Sequence, residues 1–420
     1  MALLVLLHAL FRNEPRGGLI AVTVDHGLRA ESAREAERVG AFCASRGIPH
    51  RTLNWPGDKP TTGVAAAARE ARHRLLAKAA LSAGASMVLT GHTANDQAET
   101  IAMRRERGSG RGLAGIAPAT LHDGSVWFVR PLLGCARDAL RSMLVEAGLS
   151  WIDDPSNEQS ASERVRARRA MSGTDRTRLV GELLEEGRLA AAERVDVGQR
   201  AALLIDGHAS QPTPGLVAVS TGLLAAEDVP AARLAFRLLL AASGGRDHLP
   251  DAPRARALFD RLASAPGRGT LGGVVAERRK GMVFLHRELR AGRTGAARAE
   301  AGSVWDGRYR IGPAALPENA IVECLGKTLA TARARAYADA SAPPALVRAA
   351  LAAEPVIHVR GSVASVERQG ADRAGATLQR VPAPYARFLP SFDLAPAESL
   401  RALVGGAGFP ALPWDSHNAA

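Results

Sequence analysis

His92, Asp96 and Gln97 lie within six residues of one another in LTGHTANDQAET, Leu89 to Thr100. An imidazole, a carboxylate and an amide this close can surround a phosphate-bearing ligand and its metal. The alternative is structural, because acids in the first turns of a helix suit its dipole. A second string, MRRERGSGRGLAGI (Met103 to Ile116), sets Arg104, Arg105 and Arg107 before Gly108, Gly110 and Gly112. Glycines let backbone N–H groups approach an anion, and arginines add charge-assisted bonds. The string is neither a GxGxxG fingerprint nor a Walker loop, which needs a lysine. A glycine-rich helix exit is the plainer alternative. A third string, WIDDPSNE (Trp151 to Glu158), offers Asp153, Asp154 and Asn157, which could equally form a turn and cap around Pro155. Six arginines follow between Arg164 and Arg178, among them Arg166 and Arg168. They read as a solvated helix face or, beside the other signals, as RNA backbone contacts with strong salt dependence.

These groups need strand ends and helix starts to hold them. GLIAVTVDHG reads as a short buried strand ending in Asp25-His26-Gly27, and SMVLTGH as another ending in Gly91-His92. Pro49 to Trp55 is a further strand candidate. Between them, SAREAERVGAFCASRG is an amphipathic helix with Ser32 as N-cap and Gly47 as stop. GVAAAAREARHRLLAKAALSAG is a long alanine-rich helix ending at Gly84, and NDQAETIAMRRER is a third helix. Strands alternating with helices predict a parallel α/β sheet, with ligands at the carboxyl ends of the strands. His26 and His92 both stand at such ends. ALLVLLHALF (Ala2 to Phe11) is apolar nearly all round, which predicts an interior helix. Residues 174–204 and 222–263 read as helical, and short strand-like pieces follow from residue 304 onward. The resulting division is an α/β domain over 1–172, a helical domain over 173–290 and a small α+β domain over 304–412.

Composition narrows the function. The net charge of +12 across 420 residues favours a polyanionic partner, most simply nucleic acid. Cys43, Cys135 and Cys324 are far apart and form no CxxC pair, which disfavours zinc ribbons and local iron–sulfur motifs and fits a reducing compartment. No apolar run reaches the ~18 residues of a membrane span, and Met1 to Phe11 lacks the basic start and cleavage site of a signal peptide. A cytoplasmic location with no membrane partner follows as the expectation.

Taken in order, VDHGLRAES, GHTANDQAET, RGSGRGLAGI, RPLL (Arg130 to Leu133) and WIDDPSNE with its arginine-rich sequel resemble the tRNA(Ile)-lysidine synthase family of the N-type ATP-pyrophosphatase (PP-loop) superfamily. The likeness runs over Met1 to about Ala170; beyond it only the layout agrees. It implies a doubly wound parallel sheet, ATP and Mg²⁺, and free L-lysine and a tRNA(Ile) with a CAU anticodon as substrates. It leaves room for a homodimer. It also implies the reaction. C2 of the wobble cytidine is adenylated, because its oxygen is a poor leaving group until then. A neutral lysine ε-amine then attacks C2 and expels AMP. By this resemblance His26, Gly91, His92 and Asp96 lie near ATP. His92, Asp96 and Arg107 carry the chemistry. Arg104 and Arg107 face phosphate or tRNA, and Asp153, Asp154 and Asn157 face the nucleoside or the lysine. Arg164, Arg166 and Arg168 grip tRNA.

The sequence departs from the family at two places. Asn95 stands where a second Asp is common, which removes one candidate metal ligand. The S-G-G-x-D-S loop that wraps the ATP pyrophosphate should precede a helix like MALLVLLHAL, yet Met1 falls where that helix begins. The expectation is a first strand missing from the sheet, a start placed too far downstream, and weak or no activity of the chain as written. Two other functions compete: a non-catalytic tRNA-binding remnant of the fold, and a tRNA 2-thiolation enzyme. The three scattered cysteines disfavour the second.

Overall fold

The computed structural model describes residues 1–12, 18–29, 31–108, 110–151, 166–167, 176–289, 295–312, 316, 319–339, 341–359, 362–365 and 378–413. The chain forms two compact units, Met1–Glu193 and Arg194–Pro410.

In the first unit the elements run α1 (Ala2–Phe11), β1 (Ala21–Asp25), α2 (Ser32–Ala44), β2 (His50–Asn54), α3 (Val64–Ser82), β3 (Met87–Leu89), α4 (Ala94–Glu106), β4 (Ala119–His122), β5 (Val126–Val129), α5 (Arg137–Glu146) and the start of α6 (Arg176–His208). Strands β1 and β2 are parallel, with Asp25 opposite Asn54. Strand β5 pairs in parallel with β3 and antiparallel with β4. This is the expected α/β architecture with parallel strands. Helix α3 packs on β1, β3 and β5. Its alanines allow the close approach: Ala77 and Ala80 are buried in one cluster with Val126 and Phe128.

Three local expectations change. Strand β1 is half-buried along its length, and β3 exposes Met87. Among the described residues β1 pairs on one edge only, with β2, so no second strand shields it. Helix α1 buries no residue fully, and Leu10 is 65% exposed. Among the described elements it packs chiefly on α5, which covers one side. Glu31, not Ser32, occupies the N-cap of α2, and the single Ser32 hydroxyl proton is shared between Asp25 Oδ1 at 2.6 Å and the Arg29 carbonyl at 2.8 Å.

The second unit holds the rest of α6, then β6 (Ala209–Thr213), β7 (Leu216–Ser220), α7 (Thr221–Leu224), α8 (Val229–Gly244), α9 (Ala252–Ser264), β8 (Gly267–Leu271), β9 (Val274–Arg279) and β10 (Met282–Arg287). Residues 173–290 are therefore not simply helical. The five strands form an antiparallel sheet in the order β6-β7-β10-β9-β8. The β8–β9 turn uses Gly272 and Gly273 and the β9–β10 turn uses Lys280 and Gly281, all at positive φ, as tight hairpins require. Helices α8 and α9 start at Asp228 and Asp251, whose carboxylates each accept an N–H of the first turn. Further on come β11 (Ala297–Arg298), β12 (Val304–Trp305), β13 (Tyr309–Ile311), β14 (Ile321–Cys324), α10 (Gly326–Arg333), α11 (Pro344–Ala352), β15 (Pro355–Val359), β16 (Ser362–Ser365), β17 (Leu378–Arg380), β18 (Phe388–Pro390) and α12 (Leu394–Val404). Two small sheets, β11-β14-β15-β16 and β12-β13-β17, are built from them.

A partly buried histidine gives the first unit a pH dependence. His73 of α3 and His122 of β4 stack with ring centroids 6.1 Å apart, and His73 also meets Phe128 at 4.9 Å. His73 Nδ1 lies 2.8 Å from the Arg69 carbonyl and so carries the proton. Burial, with the neighbouring His122, Arg69 and Arg130, pushes the His73 pKa down despite that bond. The folded state then binds fewer protons than the unfolded chain, so stability rises with pH across the window below the ordinary value of about 6.5. Urea midpoints at pH 7.5 and 5.5 test this. The midpoint should fall on acidification, and His73→Phe should flatten the fall; equal slopes for both proteins would remove His73 from the account.

Candidate functional site

The strand-end rim begins at Asp25 and His26, directly after β1. Asp25 Oδ1 accepts the Gly27 N–H at 2.8 Å as well as the Ser32 hydroxyl, and these bonds hold its carboxyl below the usual carboxylate range. Gly27 has φ +61, so the acid is the anchor of a left-handed turn. His26 is set by a residue from α3. Arg72 Nε and one terminal nitrogen lie 3.2 and 3.1 Å from His26 Nε2. A guanidinium can only donate, so Nε2 accepts and the proton sits on Nδ1. Burial, and next the Arg72 charge, push the His26 pKa down and keep the ring neutral. Its Nδ1 is buried with no hydrogen-bond partner. The Trp55 ring stands edge-on to it at 5.8 Å, and the Lys59 ammonium lies 4.4 Å from the Trp55 ring centre while donating to the Trp55 and Gly57 carbonyls.

The second part of the rim follows β3. Gly91 is exposed, and a side chain there would approach Leu3 of α1 at 3.8 Å. His92 Nδ1 lies 3.0 Å from Thr90 Oγ1. The next helix starts with a capping box. Thr93 is the N-cap of α4, and its backbone N–H and hydroxyl both donate to Asp96 Oδ2 at 2.7 Å. Asp96 Oδ1 accepts from Arg137 at 3.0 Å, and Arg137 also faces buried Glu99 at 3.8 Å. Asn95 Oδ1 accepts the backbone N–H of Arg137, the first residue of α5, at 2.8 Å, and the Ala94 N–H donates to the Cys135 carbonyl. Helix α5 has Ala136 at its own N-cap, so the Asn95 amide supplies the capping acceptor. An uncharged amide suits that task.

The glycine-rich string is tied back to α4. Arg104 donates to the carbonyls of Gly112 and Gly115 at 2.7 and 2.5 Å. The Gln97 amide bridges Ile116, accepting its N–H at 2.6 Å and donating to its carbonyl at 3.3 Å. Gly115 has φ +68, and a Cβ there would stand 2.6 Å from Gln97 Oε1, so glycine is required. Arg104 and Gln97 thus hold the shape of the loop. Arg107 ends α4 and is exposed, and Arg166 is exposed as well.

The structure brings His92, Asp96 and Asn95 together around the start of α4, and Arg104 around the loop that follows its end. Asp153, Asp154, Asn157, Arg164 and Arg168 lie outside the described residues. Among the described residues no three His, Cys, Asp or Glu side chains gather as a metal-binding group, and no helix is long and apolar enough to cross a membrane. Arg72, Thr93 and Arg137 were missed by sequence reasoning. Thr93 and Asp96 at T-x-x-D spacing do carry the capping-box pattern, and Arg69 and Arg72 punctuate an alanine-rich helix. Nothing local marks Arg137, whose partner is 41 residues away.

Comparison with known proteins places the whole chain in a family. Residues 1–173 match the family model described as a PP-loop domain. The chain is 46% identical to the tRNA(Ile)-lysidine synthase of Mesorhizobium japonicum, over 99% of the chain and 92% of that protein. It is 38% identical to the enzyme of the same name from Rhizobium meliloti, over 98% of the chain and 91% of that protein. Among solved structures, the U34-tRNA thiolase NcsA from Methanococcus maripaludis covers 45% of the chain at 17% identity, spans 68% of its own length and has a TM-score of 0.39, too slight a likeness to argue from.

Proposed function

The chain belongs to the tRNA(Ile)-lysidine synthase family, and from that premise we propose that it adenylates C2 of the wobble cytidine in a CAU-anticodon tRNA(Ile) with ATP and joins free lysine there, releasing AMP and PPi. It is in this reading an ATP-dependent ligase forming a carbon–nitrogen bond. The observation that carries it is the match to curated lysidine synthases along nearly their whole length. The basic surplus of the chain suits a polyanionic substrate.

ATP binds at the strand-end rim. Two features support this: the exposed backbone at Gly91, open to a phosphate, and the neutral His26, whose buried Nδ1–H lacks an acceptor. His92, fixed through Thr90, lines the same rim. Mg²⁺ accompanies the ATP phosphates, as it commonly does in phosphate-handling enzymes. Asp96 acts as a positioning residue, since both its oxygens hold Thr93 and Arg137. Arg107 and Arg166 face the tRNA, and Asp153, Asp154, Asn157, Arg164 and Arg168 belong to the same substrate surface by position in the sequence. Residues 1–172 form the catalytic domain, and 173–290 with 304–412 serve tRNA binding. The enzyme works in the cytoplasm.

The test is lysine incorporation. The protein is incubated with ATP, labelled lysine and a tRNA(Ile) transcript bearing CAU. Label should enter the tRNA with stoichiometric PPi release, and a transcript with a changed wobble base should stay unlabelled. Salt-sensitive tRNA binding without label or PPi would replace this reading with the tRNA-binding remnant.

A further inference from the structure

A small pocket, open to solvent, lies wholly within the second unit. Gln211, Ser243, Arg308 and Arg380 line its polar side, and Val217 and Val404 its apolar side. Behind it runs a cluster of three guanidinium groups, Arg287, Arg308 and Arg380, around two carboxylates, Asp306 and Glu354. Three cations against two anions leave one positive charge in a largely dehydrated place, which is costly unless an anion balances it. The two lining arginines differ in what they can offer. Arg308 is the more committed: each of its three nitrogens donates, to Asp306, Glu354 and the Ala353 carbonyl, and only 6% of its side chain is exposed. Arg380 gives a bond to Glu354 and keeps 19% of its side chain exposed. A guanidinium has five donors, so its remaining N–H groups can face the pocket.

Ser243 adds an independent sign. It is 9% exposed, and its hydroxyl has no hydrogen-bond partner. A buried hydroxyl left unpaired calls for a missing partner such as a water or a ligand. Ser243 is one of the residues that line the pocket, together with Arg380 and Gln211. A guanidinium, a hydroxyl and an amide, with no carboxylate among the lining residues, suit a tetrahedral oxyanion.

We propose that this pocket is a phosphate-class anion site, with Arg380 and Ser243 as its principal donors. The occupant is either a backbone phosphate of bound RNA or a free oxyanion. The inference goes beyond the reaction assigned above and stands or falls without it.

The test uses the full chain, Ser243→Leu, which fills the pocket and leaves the Arg380–Glu354 pair intact, and Arg380→Gln. Melting temperature is followed against inorganic phosphate, with chloride holding ionic strength constant, and tRNA affinity is followed against salt. Phosphate should raise the melting temperature of the parent protein progressively, as any ligand of the native state does, and both variants should lose the rise. If RNA supplies the phosphate, the variants also bind tRNA about tenfold more weakly, and their salt slope falls by about one. If the source is a free oxyanion, tRNA affinity is unchanged while the phosphate response is lost. A Ser243→Leu protein matching its parent in both measurements overturns the proposal. Because these readouts are melting and binding, they remain decisive even if the lysine assay fails.

Discussion

Asp96→Ala should lower the rate of lysidine formation at least tenfold and the melting temperature as well, whereas Asp96→Asn should do less of both. The carboxylate performs two tasks at once. Oδ2 closes the capping box with Thr93, and removing such a cap costs about 1 kcal/mol. Oδ1 neutralises Arg137, whose other nearby carboxylate, Glu99, is 3.8 Å away. With alanine, the turn that carries His92 loses its closure, and the first turn of α5 loses its charge partner. Asparagine keeps an oxygen for the Thr93 N–H and loses the charge facing Arg137. A positioning role therefore predicts graded losses, Ala worse than Asn, with ATP KM and stability moving together. If Asp96 touched the reacting phosphate instead, both variants would be equally inactive while Asn left the melting temperature unchanged. Steady-state labelling of tRNA beside a thermal melt of each variant separates the two.

The same residue shows why part of the site was legible in the sequence and part was not. GHTANDQAET announces both a helix start and a polar cluster. A capping carboxylate and a ligand-binding one have the same residue type at the same spacing, and the bonds of Asp96 to Thr93 and Arg137 are not written in the string. The arginines of the glycine-rich string posed a similar ambiguity. Arg104 suited an anion as well as it suits the carbonyls of Gly112 and Gly115 that it holds. His26 was visible as a strand-end histidine. Its tautomer was not, because it depends on Arg72, 46 residues away.

The alternation of strand and helix in the first unit was readable from periodicity, and α6, α8 and α9 from their arginine and leucine spacing. The five-stranded sheet was not. LVAVS and MVFLHR are short, mostly apolar runs, and such runs do not distinguish a buried strand from a helix segment. The signal lay in the turns: Pro214-Gly215, Gly272-Gly273 and Lys280-Gly281 sit at hairpin spacing between runs of similar length.

Glu354→Ala should destabilise the second unit by about 3–5 kcal/mol, the range for leaving a buried charge without its partner. Glu354 is buried between the two small sheets' chain segments. It accepts from Arg308 at 3.0 Å and from Arg380 and the Tyr309 hydroxyl at short range. Burial works against the Arg308 charge, but Glu354 and Asp306 outweigh it and hold its pKa above the ordinary value. Burial, and then the Glu354 charge, raise the Tyr309 pKa, so the phenol keeps its proton and remains a donor. Alanine removes one acceptor from two guanidinium groups and a phenol together. It also opens space beside Gly215, where a Cβ would come within 2.4 Å of Glu354 Oε1. Glu354→Gln keeps the shape and loses the charge, so it isolates the ionic share and should fall between parent and alanine. Urea unfolding of the three proteins gives the comparison. A loss below about 1 kcal/mol for alanine would mean that water reaches Arg308 and Arg380 as freely as at a surface pair.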